Sequence, residues 1–176
     1  MKNPETQNLE SALSKYSSLQ SEIEDIRRRS ADSTTRLAAL ETSCDLDDAG
    51  ALGEIGRLQT ACALLPNRLS AKERALTETE AAIQKTCEEF IATTLTPKLR
   101  SLRQKTEAKI KTELQPFFPD TTTLDAAISS SALISALNAL DNVATITSNP
   151  WDGILGYARR TLEAWEQAKI FEAKIP

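Results

Sequence analysis

Six basic residues on one short stretch, Lys98, Arg100, Arg103, Lys105, Lys109 and Lys111, are the densest set of side chains in this chain that could hold a ligand, and only one acid, Glu107, falls among them. Clustered Lys and Arg are what a phosphate, a nucleic-acid backbone or an acidic protein surface needs. On a helix, however, Lys98, Lys105 and Lys109 flank one side of the apolar stripe Leu95, Leu99 and Leu102, and Arg100, Arg103 and Lys111 flank the other. Long cationic side chains at such positions lay their stems along a seam and pair with acids of their own molecule. That is the expectation for these six, with an anion or partner contact as the alternative.

No other cluster points to a reaction. The chain has no histidine, which removes Ser-His-Asp and Cys-His triads, His-ligated zinc and the Glu-x-x-His di-iron bundle site. Glu78, Glu80, Glu88 and Glu89 could pair for acid/base work, but they belong to a polar helix surface with no base or electrophile beside them. Cys44, Cys62 and Cys87 are odd in number and lack a C-x-x-C spacing. They are expected as free thiols serving as small apolar residues, with a Cys44–Cys62 bridge as the alternative. Gly50-x-x-Gly53-x-x-Gly56 is not a phosphate loop, since no strand precedes it and no Gly-Lys-Ser/Thr follows. Arg27, Arg28 and Arg29 point in three directions on a helix and form no patch. The expectation is therefore a non-enzymatic protein with no catalytic residue, no metal ligand and no cofactor.

The whole-chain balance agrees. A net charge of -4 with a pI near 5.1 argues against general nucleic-acid binding. Met1 to Glu5 leads into polar sequence without the apolar segment of a secretory signal. No stretch approaches the ~18 apolar residues of a membrane span. The last helix carries four basic and four acidic residues, which gives no attraction to anionic lipid. A cytoplasmic, reducing location without a membrane partner is the expectation.

The elements that must position these residues read as helices throughout, with no strand required. Counting alternately three and four from Leu9 gives Ala12, Tyr16, Leu19, Ile23, Ile26, Ser30, Ser33, Leu37, Leu40 and Cys44, one narrow stripe of a long helix. Asp45 to Asp48 and the three glycines turn the chain, with Asp47 or Asp48 as N-cap. A second stripe follows: Ile55, Leu58, Cys62, Leu65, Leu69, Lys72, Leu76, Thr79, Ile83, Thr86 and Phe90. Pro66 inside it predicts a kink or short break near Leu65. Two such helices pack antiparallel, one alignment setting Leu37 opposite Leu65 and Ile26 opposite Leu76, and a shift of one heptad toward a tighter loop also gives acceptable layers.

The fold class is thus all-α: a long antiparallel helical hairpin, coiled-coil-like, over 5–115 with its turn near 45–54, and a compact C-terminal helical bundle. A Pro-rich connection spans 116–123, and 124–174 forms two helices packing on the hairpin. The second hairpin helix continues past Pro97 along Leu99, Leu102, Thr106, Ile110 and Leu114. Thr121 to Thr123 cap a helix rich in small residues with Leu124, Ile128, Leu133, Leu137 and Leu140 as its apolar positions. Ser148-Asn149-Pro150 starts the last one, whose apolar face is Trp151, Leu155, Ala158, Leu162 and Trp165, with Gly153 and Gly156 where a crossing helix could approach. Six of the eight aromatic residues follow Gln115, so the compact core is expected there.

Polar layers at Ser30, Ser33, Lys72, Thr79 and Thr86 contribute little burial, so further helices should cover the seam. The sequence therefore predicts a structural or protein-interaction protein that forms a homo-oligomer, a homodimer in the first instance, or receives a helical partner. The alternative is a nucleic-acid or phosphate-binding helical module using 98–111.

Overall fold

A computed structural model describes residues 6–43, 48–118, 120–145 and 153–174, with the side chains of 143–145 left aside. Every element is helical: α1 (Gln7–Ser43), α2 (Ala49–Phe90), a π-helical turn (Ile91–Leu95), α3 (Thr96–Leu114), α4 (Thr121–Ser129), α5 (Ala132–Thr145) and α6 (Gly153–Lys174). The chain divides into two compact units, Glu10–Ala82 on one hand and the residues up to Leu9 with those from Ile83 onward on the other.

The Glu10–Ala82 unit is the antiparallel part of the hairpin. Every described position of both heptad stripes within it is buried or half-buried. Near the turn, Arg36 of α1 pairs with Glu54 of α2; further along, Arg27 meets Glu73 at 2.8 Å and Lys72 meets Glu22 at 2.6 Å. The Tyr16 hydroxyl donates to Glu80 at 3.0 Å, and Thr34 Oγ1 lies 3.8 Å from Cys62 Sγ. The Tyr16–Glu80 and Thr34–Cys62 contacts place the register close to the tighter-loop alternative, with Thr34 rather than Leu40 at the level of Cys62. The Arg27-Arg28-Arg29 run divides as the wheel requires, with Arg27 reaching α2 and Arg28 bonding Asp25 on its own helix. Asp48 caps α2, its Oδ1 accepting from the N–H groups of Gly50 and Ala51 at 2.9 and 3.1 Å. Cys44 and Asp47 lie outside the described residues.

Pro66 does not break the helix. α2 runs α-helical from Ala49 to Phe90 with Pro66 inside it. The irregularity falls instead at Ile91–Leu95, where the Thr96 N–H bonds the Ile91 carbonyl five residues back. Pro97 explains its place: in a continuous α-helix its ring would meet the Thr93 carbonyl, and the wider turn immediately before it lets the chain start α3 afresh with Pro97 in the first turn.

In the other unit, Phe90, Leu95, Leu99, Leu102, Leu137, Ala164, Trp165 and Ala168 form the main core. Phe90 meets Trp165 edge to face, with centroids 5.5 Å apart at 84°. A second cluster, Ile110, Leu124, Ile128 and Ile134, closes the far end of α3.

This unit departs from the sequence reading in several places. The 124–174 segment holds three helices instead of two, because the chain breaks at Ser130–Ser131 and bends by 54° between α4 and α5. The break resets the helical phase, so Ile134 is buried and Leu133 stands 46% exposed. Asp120, not a threonine, caps α4, accepting from the Thr123 N–H at 3.0 Å. On α6 the buried set is Tyr157, Ala158, Thr161, Ala164, Trp165 and Ala168, a face rotated from the expected one and made largely of small residues. Gly153 has φ +58, and a methyl group on its Cα would meet no atom within 4 Å, so it serves backbone conformation and not close approach. Ser148, Asn149, Pro150 and Trp151 lie outside the described residues.

Candidate functional site

Two surfaces compete for a functional role, and the α3 basic segment is the first. Its buried face is Leu99, Leu102, Thr106 and Ile110, and the six cations divide to either side of it. On the α6 side, Lys98 is half-buried and donates to Glu172, with Lys105 adding its charge to the same carboxylate. The Lys98 hydrogen bond holds the Glu172 carboxyl below the ordinary range, so the contribution of this carboxylate is present above that range and is lost as pH falls through it. On the α5 side, Arg103 pairs with Glu107 at 3.0 Å, one turn along. Arg100 and Arg103 edge a notch of about 120 Å³ shared with Thr96, Asn138 and Asp141. That is well below the ~300 Å³ at which small-molecule pockets begin. Lys109 is half-buried and Lys111 exposed. The six cations thus lie in two separated rows, not one convergent patch, and Lys98 and Arg103 are paired with acids of this unit.

Titratable groups elsewhere are similarly spread. Among the described residues no three Cys, Asp or Glu side chains converge as metal ligands would. Glu88 accepts from Gln84 at 2.9 Å and Glu89 pairs with Lys85, both one turn away. Cys87 is fully buried; burial pushes its thiol up to about 11, partly offset by a hydrogen bond with Thr161. The thiolate needed for nucleophilic attack is scarce at neutral pH. Iodoacetamide at pH 8 is accordingly expected to label the half-buried Cys62 well before Cys87, which should react only after unfolding; equal labelling rates in the native chain would contradict that burial.

The second surface is the hairpin itself. Tyr16, Leu19, Ile23 and Thr79 are buried, yet from Glu24 to Glu78 no described residue is, although the heptad stripes continue through that span. Two helices alone cover each seam side chain from one direction only, so Ile26, Leu37, Leu40, Ile55, Leu58, Leu65 and Leu69 stay half-buried. On one face this leaves a groove of about 380 Å³, floored by Ile26, Leu65 and Ala71 and rimmed by Asp25, Arg29 and Arg68. Leu64, one turn from Arg68 along the same edge, is 54% exposed. Sequence periodicity finds the stripe but not the groove, because the flanking residues are small or charged and carry no apolar signal.

Comparison with protein-family models, with curated proteins and with solved structures found no match for this chain. Among the described residues no single helix is long and apolar enough to cross a membrane.

Proposed function

We propose that this chain is a non-enzymatic structural or protein-interaction protein, and that its working surface is the half-covered face of the hairpin between Ile26 and Leu76. The supporting observation is the mismatch between pattern and burial: a heptad stripe continues for several turns beyond the last fully buried residue. Apolar seam left open to water is a standing driving force for association, roughly 25 cal/mol per Å² covered. A partner that supplies helices along the hairpin, whether a second copy or another helical protein, removes that exposure. The alternative, a phosphate or nucleic-acid module built on 98–111, has less behind it, since Lys98 and Arg103 are engaged within the chain and the six cations lie in two rows.

Leu64→Asp tests the reading. Leu64 is exposed, so the substitution leaves helicity at 222 nm unchanged, while a charge on the docking face lowers association by roughly tenfold or more. Light scattering and affinity capture with wild-type and variant chains are the measurements. Association equal to wild type in the variant, or no association by the wild type at all, rejects it.

A further inference from the structure

Resting on that reading, we infer that the occupant of the hairpin groove is a second copy of the chain, seated antiparallel with α1 against α1 and α2 against α2 about a two-fold axis passing between Arg29 and Asp32. Glu22, Asp25 and Arg29 line the groove from α1, and the same flank of the helix continues with Asp32 and Arg36, so beyond Glu22, which Lys72 holds, the charges run Asp25, Arg29, Asp32, Arg36. Arg29 and Asp32 are exposed, and neither pairs with another described residue, unlike Arg27 and Arg28 beside them. An antiparallel copy centred midway between them sets each Arg29 beside the other copy's Asp32, twice over; Arg36 and Asp25, already held by Glu54 and Arg28 within each chain, also fall opposite each other with opposite signs. The order of signs is therefore complementary to its own reversal, which is the requirement for an isologous interface.

α2 independently gives the same axis. Arg68 and Ala71 line the groove from α2, and Ala61 and Leu64 continue the same flank of the helix. Centring on Pro66 lays each Leu64 against the other copy's Arg68 stem and each Ala61 against Ala71, so that small residues meet where helices must approach and an exposed leucine gains an aliphatic cover. Tyr16 lies at the level of Glu80 and Thr34 at that of Cys62, which puts the level between Arg29 and Asp32 next to Pro66. Two centres deduced from different helices thus fall on one line through the hairpin. α1 runs on for ~19 Å past that line to Ser43, giving an overlap of ~40 Å that covers the groove face of the half-buried stretch.

The test is a charge exchange on the full-length chain, followed by sedimentation equilibrium. Arg29→Asp alone and Asp32→Arg alone each turn two attractive contacts per dimer into repulsive ones, and each is expected to raise the dimer dissociation constant roughly tenfold. The double variant, and an equimolar mixture of the two single variants, should both return to within about threefold of wild type, because opposite charges then face each other across the axis. All four chains keep wild-type helicity, since both positions are exposed. A wild-type chain that stays monomeric at tens of micromolar overturns the inference. So does a dimer that the single reversals leave intact, or one that the mixture fails to restore. If Leu64→Asp still weakens that unperturbed dimer, the arrangement fails while the hairpin remains the interaction surface.

Discussion

Trp165→Ala is expected to destabilise the C-terminal unit by about 3–5 kcal/mol, the range for removing a large aromatic from a packed core. Trp165 is 4% exposed and packs among Phe90, Leu99 and Leu102, residues from two other helical segments that no closer neighbour can refill. The substitution also removes the edge-to-face contact with Phe90, worth roughly 0.5–1.5 kcal/mol beyond area, and the seat of the Lys169 ammonium 5.8 Å above the ring. Trp165→Phe keeps most of the volume and should cost less than half as much. Urea denaturation followed by circular dichroism measures both. A loss below about 1.5 kcal/mol for the alanine variant would show that the cluster is not the core of this unit.

How far the sequence reaches depends on what each feature requires. The heptad stripes were legible because large apolar residues at a spacing of three and four leave only one helical face on which to lie, and every described position of both is buried or half-buried. Phase was lost where that signal thins. Ser129 to Ser131 favour a cap or turn, and the Ser131 hydroxyl accepts from the Ile134 N–H at 3.3 Å, but the reset that exchanges Leu133 for Ile134 leaves no trace in the apolar periodicity. On α6 the buried Ala164, Ala168 and Thr161 are chosen because they let helices approach, a property of the facing surface and not of their own hydrophobicity. Pro66 and Pro97 show the same limit: the residue type predicts a disturbance, but whether the backbone absorbs it in place or one turn earlier is decided by packing.

The basic segment was legible to the same degree. Its division into two rows follows from helical geometry alone, whereas the Lys98 partner, Glu172, lies 74 residues away and could be found only once α6 was placed against α3. The groove was less legible still. Its rim is made of charged residues such as Arg29 and Arg68, and its value as a surface comes from the level at which α1 faces α2, which contacts such as Tyr16–Glu80 and Thr34–Cys62 report and apolar periodicity leaves open by a heptad.

That same register makes a graded prediction along the hairpin. Ile23→Asp should cost about 3–5 kcal/mol, since Ile23 is 4% exposed and the change combines the lost transfer energy of a buried isoleucine with an unpaired charge in the seam. Leu40→Asp, at a half-buried position near the turn, should cost nearer ~1 kcal/mol in dilute solution, because its carboxylate keeps access to water. The two costs behave differently with concentration. Burial of Ile23 is complete within one chain, so its penalty is the same at one micromolar and at one hundred. Leu40 is covered further only when another helical surface lies along the hairpin, so its penalty should grow with protein concentration as association is lost. Thermal melts of both variants across that range, followed at 222 nm, provide the comparison. Equal penalties at every concentration would mean that the distal seam gains no cover from a second copy, and the half-buried stripe would then await a different helical partner.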